Sequence, residues 1–209
     1  MKNPKESPVH VTTHTGKLEG IPSVSTSCLC NRMCMARAKD PRLICSKCYS
    51  VSLQMKRTNL ANAMKQNYEV LTKPVADGDL PRFTAKYVRI ESFGDVANQV
   101  QAENYIRMVR LSPRTRFAAW TKNLAIWIAA FKRVGKPANM TLVYSDPVIG
   151  GSVKPGELVG GEWVDHVFAV LPKNTPDERI NCGGRHCLSC LRCYRKNTAR
   201  MVYEKLKSI

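Results

Sequence analysis

Residues 85–145 read AKYVRIESFGDVANQVQAENYIRMVRLSPRTRFAAWTKNLAIWIAAFKRVGKPANMTLVYS. Two periods take turns in this stretch. Residues 85–93 (AKYVRIESF) alternate apolar and polar side chains, the period of a strand. Residues 96–111 place Ala102, Ile106 and Val109 on one face of a helix. A strand is predicted at 115–121 (TRFAAWT), a helix at 123–134 stopped by Gly135 and Pro137, and a strand at 140–145 (MTLVYS). Residues 166–171 (HVFAVL) read as a further strand. Strand and helix in strict succession, with short connections, imply parallel pairing and right-handed crossovers. The expectation is one α/β domain over residues 1–209. The chain is too short for an eight-fold barrel of about 250 residues, so a partial barrel or an open parallel sheet is expected.

Outward from this centre the pattern weakens. Leu53, Leu60, Met64, Tyr68 and Leu71 recur at near-helical spacing, and that helix is expected to end before Pro74. Residues 1–27 read as an irregular lead-in with a short strand at 9–13. Residues 28–50 read as a cysteine-bearing loop. Residues 191–207 read as a basic amphipathic helix, with Tyr194, Met201 and Leu206 available for packing.

The nine cysteines fall at the two ends of this frame. Cys28, Cys30, Cys34, Cys45 and Cys48 form one group, and Cys182, Cys187, Cys190 and Cys193 the other. Burial gives no reason for repeated C-x2-C spacing. A shared centre does, because short loops deliver thiolates two or three at a time. Cys187, Cys190 and Cys193 make successive C-x2-C steps, suited to a 4Fe–4S cluster, and Cys182 precedes them with Gly183 and Gly184 to turn the backbone. Completion by Cys45 or Cys48 yields one cluster bridging both ends. Seven plausible ligands, these six with Cys34, leave room for a second. Zinc on Cys45, Cys48, Cys190 and Cys193 is the alternative. Cys28 and Cys30, at C-x-C spacing, also suit free buried thiols. Of the four histidines only His186, beside Cys187, suits a ligand.

The formal charge is +17, from 33 Lys and Arg against 16 Asp and Glu. An anionic ligand or a nucleic acid is the expected partner, with a solvated basic surface as the plainer explanation. Eight basic residues against Glu204 lie from Arg179 onward, so charge and cysteines coincide. Nearby cations would offset an anionic cluster. A nucleic-acid-binding module with a scaffolding metal, and an electron-transfer or redox-sensing protein, both stay open. The first ten residues hold no apolar run, and the longest apolar stretch, residues 124–131, is far short of the ~20 residues of a spanning helix. A soluble cytoplasmic protein without membrane contact is expected. Polar residues close the strands: Glu91, Ser92 and Asp95, then Thr121 and Lys122, then Ser145 and Asp146. That edge binds ligands in parallel folds, which makes Asp95, Lys122 and Asp146 the catalytic candidates. Asp95 and Asn123 suit helix N-caps equally well.

Several of these stretches together resemble the phage "gene product 88" family. They are NRMCMARAKDPRLICSKCYS (31–50), VRIESFGD (88–95), TRFAAWTKN, LVYSDP and CGGRHCLSCLRCY (182–194). The second is similar to the family's Arg-x-x-x-Ser-Gly-Asp strand end, with Phe93 inserted between Ser92 and Gly94. The resemblance implies a phage or prophage origin, action in the cytoplasm of an infected or lysogenic host, and an iron–sulfur protein. Radical-SAM-like α/β proteins are similar at the Cys-Tyr ending of the first loop. Their compact C-x3-C-x2-C loop is absent, and Gly160–Gly161–Glu162 precedes the HVFAVL strand, so SAM is not expected as a cofactor.

Overall fold

Among the described residues six strands pair side by side in chain order, all parallel. The computed structural model describes residues 7–153, 163–182, 186–196 and 201–207. The strands are β1 (Ser23–Val24), β2 (Tyr87–Ile90), β3 (Arg116–Thr121), β4 (Met140–Ser145), β5 (His166–Leu171) and β6 (Met201–Lys205). β1 and β6 form the two edges of an open sheet. The helices are α1 (Arg32–Ala38), α2 (Tyr49–Lys56), α3 (Thr58–Leu71), α4 (Gln99–Arg110), α5 (Leu124–Val134) and the single turn α6 (Cys187–Cys190).

The alternation along each strand sorts side chains onto two faces. Val88, Ile90, Phe117, Ala119, Met140, Leu142 and Val167 face one way and pack with Tyr105, Ile106 and Val109 of α4, Trp127 and Phe131 of α5, and Leu71 of α3. Consecutive parallel strands joined by right-handed crossovers carry their helices on one face. The other face is left for irregular segments. There Ala118, Trp120, Val143, Phe168 and Val202 meet Ile21, Leu191, Tyr194, Cys182, Cys187 and Cys193. The cysteine-rich tail therefore caps the sheet as part of its second, smaller core.

The central elements match the sequence reading closely, β4 and β5 residue for residue. Four expectations fail at the periphery. The basic helix over 191–207 is not formed: Arg192–Tyr194 is a 3-10 turn and Met201–Lys205 is strand β6. The exposed edge of β5 offers a row of backbone partners, and Val202 buries at a strand position, so pairing overrides local helix preference. The loop over 28–50 contains α1, capped by the Asn31 side chain, and a 3-10 turn at Ile44–Lys47. The strand at 9–13 reduces to one antiparallel bridge, Thr12 with Ser23, while β1, two residues long, forms beyond it. The helix ending at Leu71 is two helices broken at Arg57, whose backbone is extended, with no Gly or Pro to mark the break. The Gly183–Gly184 turn and Gly160–Glu162 lie outside the described residues.

Candidate metal centres

The first group of thiols assembles where β1 and β2 end. Cys28 follows β1 and is buried, and its Sγ accepts from Gln54 Nε2 at 3.2 Å. Cys34 lies in the first turn of α1, Cys45 in the 3-10 turn, and Cys48 at the N-terminal end of α2. All four line one cavity of about 70 Å³, together with Arg37, Asp95 and Lys122. Cys30 does not line it.

The frame around this cavity is tight. Tyr49 Oη donates to the Ser92 carbonyl and Ser50 Oγ to the Phe93 carbonyl, clamping α2 to the end of β2. Glu91 holds a left-handed backbone, φ 57°, which is uncommon for a residue with a side chain. Its buried carboxylate accepts from Thr26 N (3.1 Å), Thr26 Oγ1 (2.7 Å), Gln101 Nε2 (2.8 Å) and Tyr105 Oη (2.7 Å). Gly94 passes so close to the chain that a Cβ there would stand 2.3 Å from the Thr26 carbonyl oxygen. The turn needs a glycine at that point.

Burial and mutual repulsion set the charge state of these thiols. Cys34 is pushed well above the ordinary thiol value, first by burial and then by Asp95 and Glu91. Cys28 and Cys48 share a hydrogen bond, which raises Cys28 and lowers Cys48 to about 6. Cys48 is also favoured by the Val51 and Ser50 N–H groups in the first turn of α2 and by Lys122.

The second group sits on the capped face of the sheet. Cys182 N donates to the Tyr203 carbonyl of β6 at 2.9 Å, and Cys182 Sγ accepts from Lys17 Nζ at 3.4 Å. Cys187 and Cys190 are the ends of α6, and Leu191 then turns the chain with φ 52°. Cys193 follows, its carbonyl accepting from Thr141 Oγ1 of β4 at 2.6 Å. Cys193 is pushed up to about 12 by burial, with Cys182, Cys187 and Cys190 adding to the rise and Arg89 opposing it. Cys187 is raised by burial and drawn back by Arg89 and Lys17.

The structure thus gathers Cys187, Cys190 and Cys193 with Cys182, and Cys45 and Cys48 with Cys34 and Cys28. Cys28 is the ligand candidate that spacing undervalued; only the fold brings it beside Cys48. All nine thiols are free. His186 is exposed at the cap position before α6. Both groups open onto one cleft of about 860 Å³, with Cys45 and Cys48 among its lining residues as well as the four C-terminal thiols.

The three catalytic candidates separate. Asp95 is buried with both oxygens engaged: Oδ1 accepts from Val96 N (2.8 Å) and Thr121 Oγ1 (2.6 Å), and Oδ2 from Lys122 N (2.7 Å). It staples the ends of β2 and β3 and does not cap α4, whose cap is Asn98. Asn123 stands at the start of α5 without a side-chain cap bond, and its Nδ2 donates to the Val96 carbonyl. Asp146 accepts from Val148 N, Ser152 N and Val153 N and folds its own loop. Lys122 lines both the cavity and the cleft, donating to Ser145 Oγ at 2.9 Å. Arg89, the arginine of the strand-end motif that carried part of the family resemblance, enters the cleft from β2 and stacks 3.8 Å from the centre of the Trp120 ring. Its other signal was a charge at an inner position of a buried strand.

The donors suit soft metals: four thiols per group with cations alongside. Among the described residues no three His, Cys, Asp or Glu side chains converge tightly enough for a single ion. A cubane, whose ligands attach to different corners, asks for a wider spread than the ~2.3 Å bonds of tetrahedral zinc allow. No helix among the described residues is long and apolar enough to cross a membrane.

Residues 5–204 match the family described as gene product 88. The chain belongs to that family, a phage gene product. No curated protein and no solved structure matches it.

Proposed function

We propose that this chain is an iron–sulfur protein with two cluster sites, one on Cys28, Cys34, Cys45 and Cys48 and one on Cys182, Cys187, Cys190 and Cys193. The observation that carries the reading is the gathering of eight of nine cysteines into two groups of four, both facing one cleft. One cluster bridging the two ends, on Cys187, Cys190 and Cys193 with Cys45 or Cys48, is the more economical variant of the same reading.

When bound, a cluster supplies one-electron redox chemistry or a Lewis-acidic iron. The chain's own residues prepare for it. Lys122 and Arg37 beside the first group, and Lys17 and Arg89 beside the second, favour the ionised thiolates a metal needs. The Glu91 turn and Gly94 fix the wall from which Cys28 and Cys48 are presented. The size of the cleft supports a redox or enzymatic role on a small substrate over that of an electron carrier alone.

Anaerobic purification with iron, sulfide and zinc analysis tests this. Roughly eight irons and eight sulfides per chain are expected, falling by about half in Cys34→Ser or Cys187→Ser and unchanged in Cys30→Ser. A total near four, lost from both variants alike, would favour the single bridging cluster. Zinc without sulfide, or thiols empty after anaerobic reconstitution, would refute the reading.

A further inference from the structure

Arg89 is the least explained residue of the cleft. Its guanidinium is half-buried on Trp120, and among the described residues it meets no carboxylate. Glu91 is bonded to Thr26, Gln101 and Tyr105. Glu204 is taken by Lys17 and Lys207, and Asp95 by the donors of the β3 end. A half-buried cation that meets no carboxylate is free to take an anion from outside the chain.

Other observations point to the same place. Arg89 Nε, Trp120 Nε1, Tyr194 Oη and Thr12 Oγ1 are buried without a hydrogen-bond partner, and all four residues line this cleft. Of the described side chains only Trp127 joins them in that state, from the opposite core. Orphaned donors concentrated about one cleft mark a site that expects acceptors from elsewhere. Among the described residues the lining holds eight Lys and Arg side chains against three carboxylates, and its walls are apolar at Trp120, Phe168 and Val202. Its 860 Å³ lies in the range of small-molecule sites.

We infer that the cleft binds a small organic anion with a flat apolar body, its phosphate or carboxylate on the outer edge of the Arg89 guanidinium and its body against Trp120 and Phe168. This goes beyond cluster binding and holds whether or not the thiols carry metal. Arg89 takes the anion because its planar fork keeps N–H groups free while its face is stacked.

Titration calorimetry with adenosine 5′-monophosphate, indole-3-acetate, inorganic pyrophosphate and adenosine, on iron-free and iron-loaded full-length protein, tests the site. One of the first two should bind, which distinguishes a phosphate from a carboxylate head. Pyrophosphate and adenosine, each lacking half of the ligand, should bind roughly tenfold or more weakly. Arg89→Met should weaken the bound probe by at least about tenfold in the iron-free protein, where no cluster takes part. Phenylglyoxal labelling of the unmodified chain, mapped by mass spectrometry, needs no variant: the same probe should protect Arg89. The inference is overturned if neither aromatic anion binds, if the probe leaves Arg89 unprotected, or if Arg89→Met binds it equally. Loss of iron in Arg89→Met without anion binding by the wild type also overturns it, and would make Arg89 a counter-charge to the cluster.

Discussion

Gly94→Ala tests the tightest point of the fold. The new methyl carbon would stand 2.3 Å from the Thr26 carbonyl oxygen, 2.9 Å from Glu91 Oε2 and 3.0 Å from the Thr26 carbonyl carbon. An unstrained contact needs about 3.4 Å or more, so atoms must part by about an ångström or more. Neither side gives easily. Thr26 is held by its N–H and hydroxyl to Glu91, and Gly94 lies between the clamped Phe93 carbonyl and the stapled Asp95. Overpacking against backbone should cost about 2–4 kcal/mol. In a chain of this length that lowers Tm by about 5–15 °C. Gly78→Ala is the control, since a Cβ there meets nothing within 4 Å. Thermal unfolding of the two variants in metal-free form measures the difference. Because Thr26 leads directly into Cys28, iron loading of the first thiol group should fall while the second is spared. A Gly94→Ala protein that melts with the wild type and loads fully would refute the account of this turn.

Glu91 should give the stability a pH signature. Burial raises its carboxyl from 4.5 to about 7, so the folded state binds the proton more tightly than the unfolded chain. The associated stabilisation, about 3 kcal/mol, is fully present below pH 4.5 and is lost as pH rises through about 7. Denaturant melts of the wild type and Glu91→Gln across pH 4–8 should differ by a term of that slope, and parallel curves would refute it. Lys136 and Asp165 form a pair at 2.5 Å with about a tenth of each side chain exposed, and Asp165 also accepts from Leu142 N. Lys136→Met should cost about 3 kcal/mol by stranding that carboxylate, as read from urea unfolding, and a loss under about 1 kcal/mol would show that water reaches it.

What was legible in the sequence was what is local. Periods of two and of three to four residues mark β2 through β5 and the helices α4 and α5, because each element's own side chains choose its buried face. The clustering of cysteines at both ends was visible for a similar reason: short loops leave their spacing in the chain. The tertiary structure decided the rest. Met201–Lys205 is a strand because β5 presents an unpaired edge. Cys28 joins Cys48 because Gln54, Ser50 and the Glu91 turn bring two distant segments to one cavity. Asp95 looked like a cap and proved a staple, since its three donors come partly from the next strand. Arg89 acquires meaning only from the Trp120 ring beneath it and the absence of a carboxylate nearby among the described residues. Pattern records which side of an element is buried; which residues from remote segments meet there is fixed by packing, and pairwise contact leaves no periodic trace in a single chain.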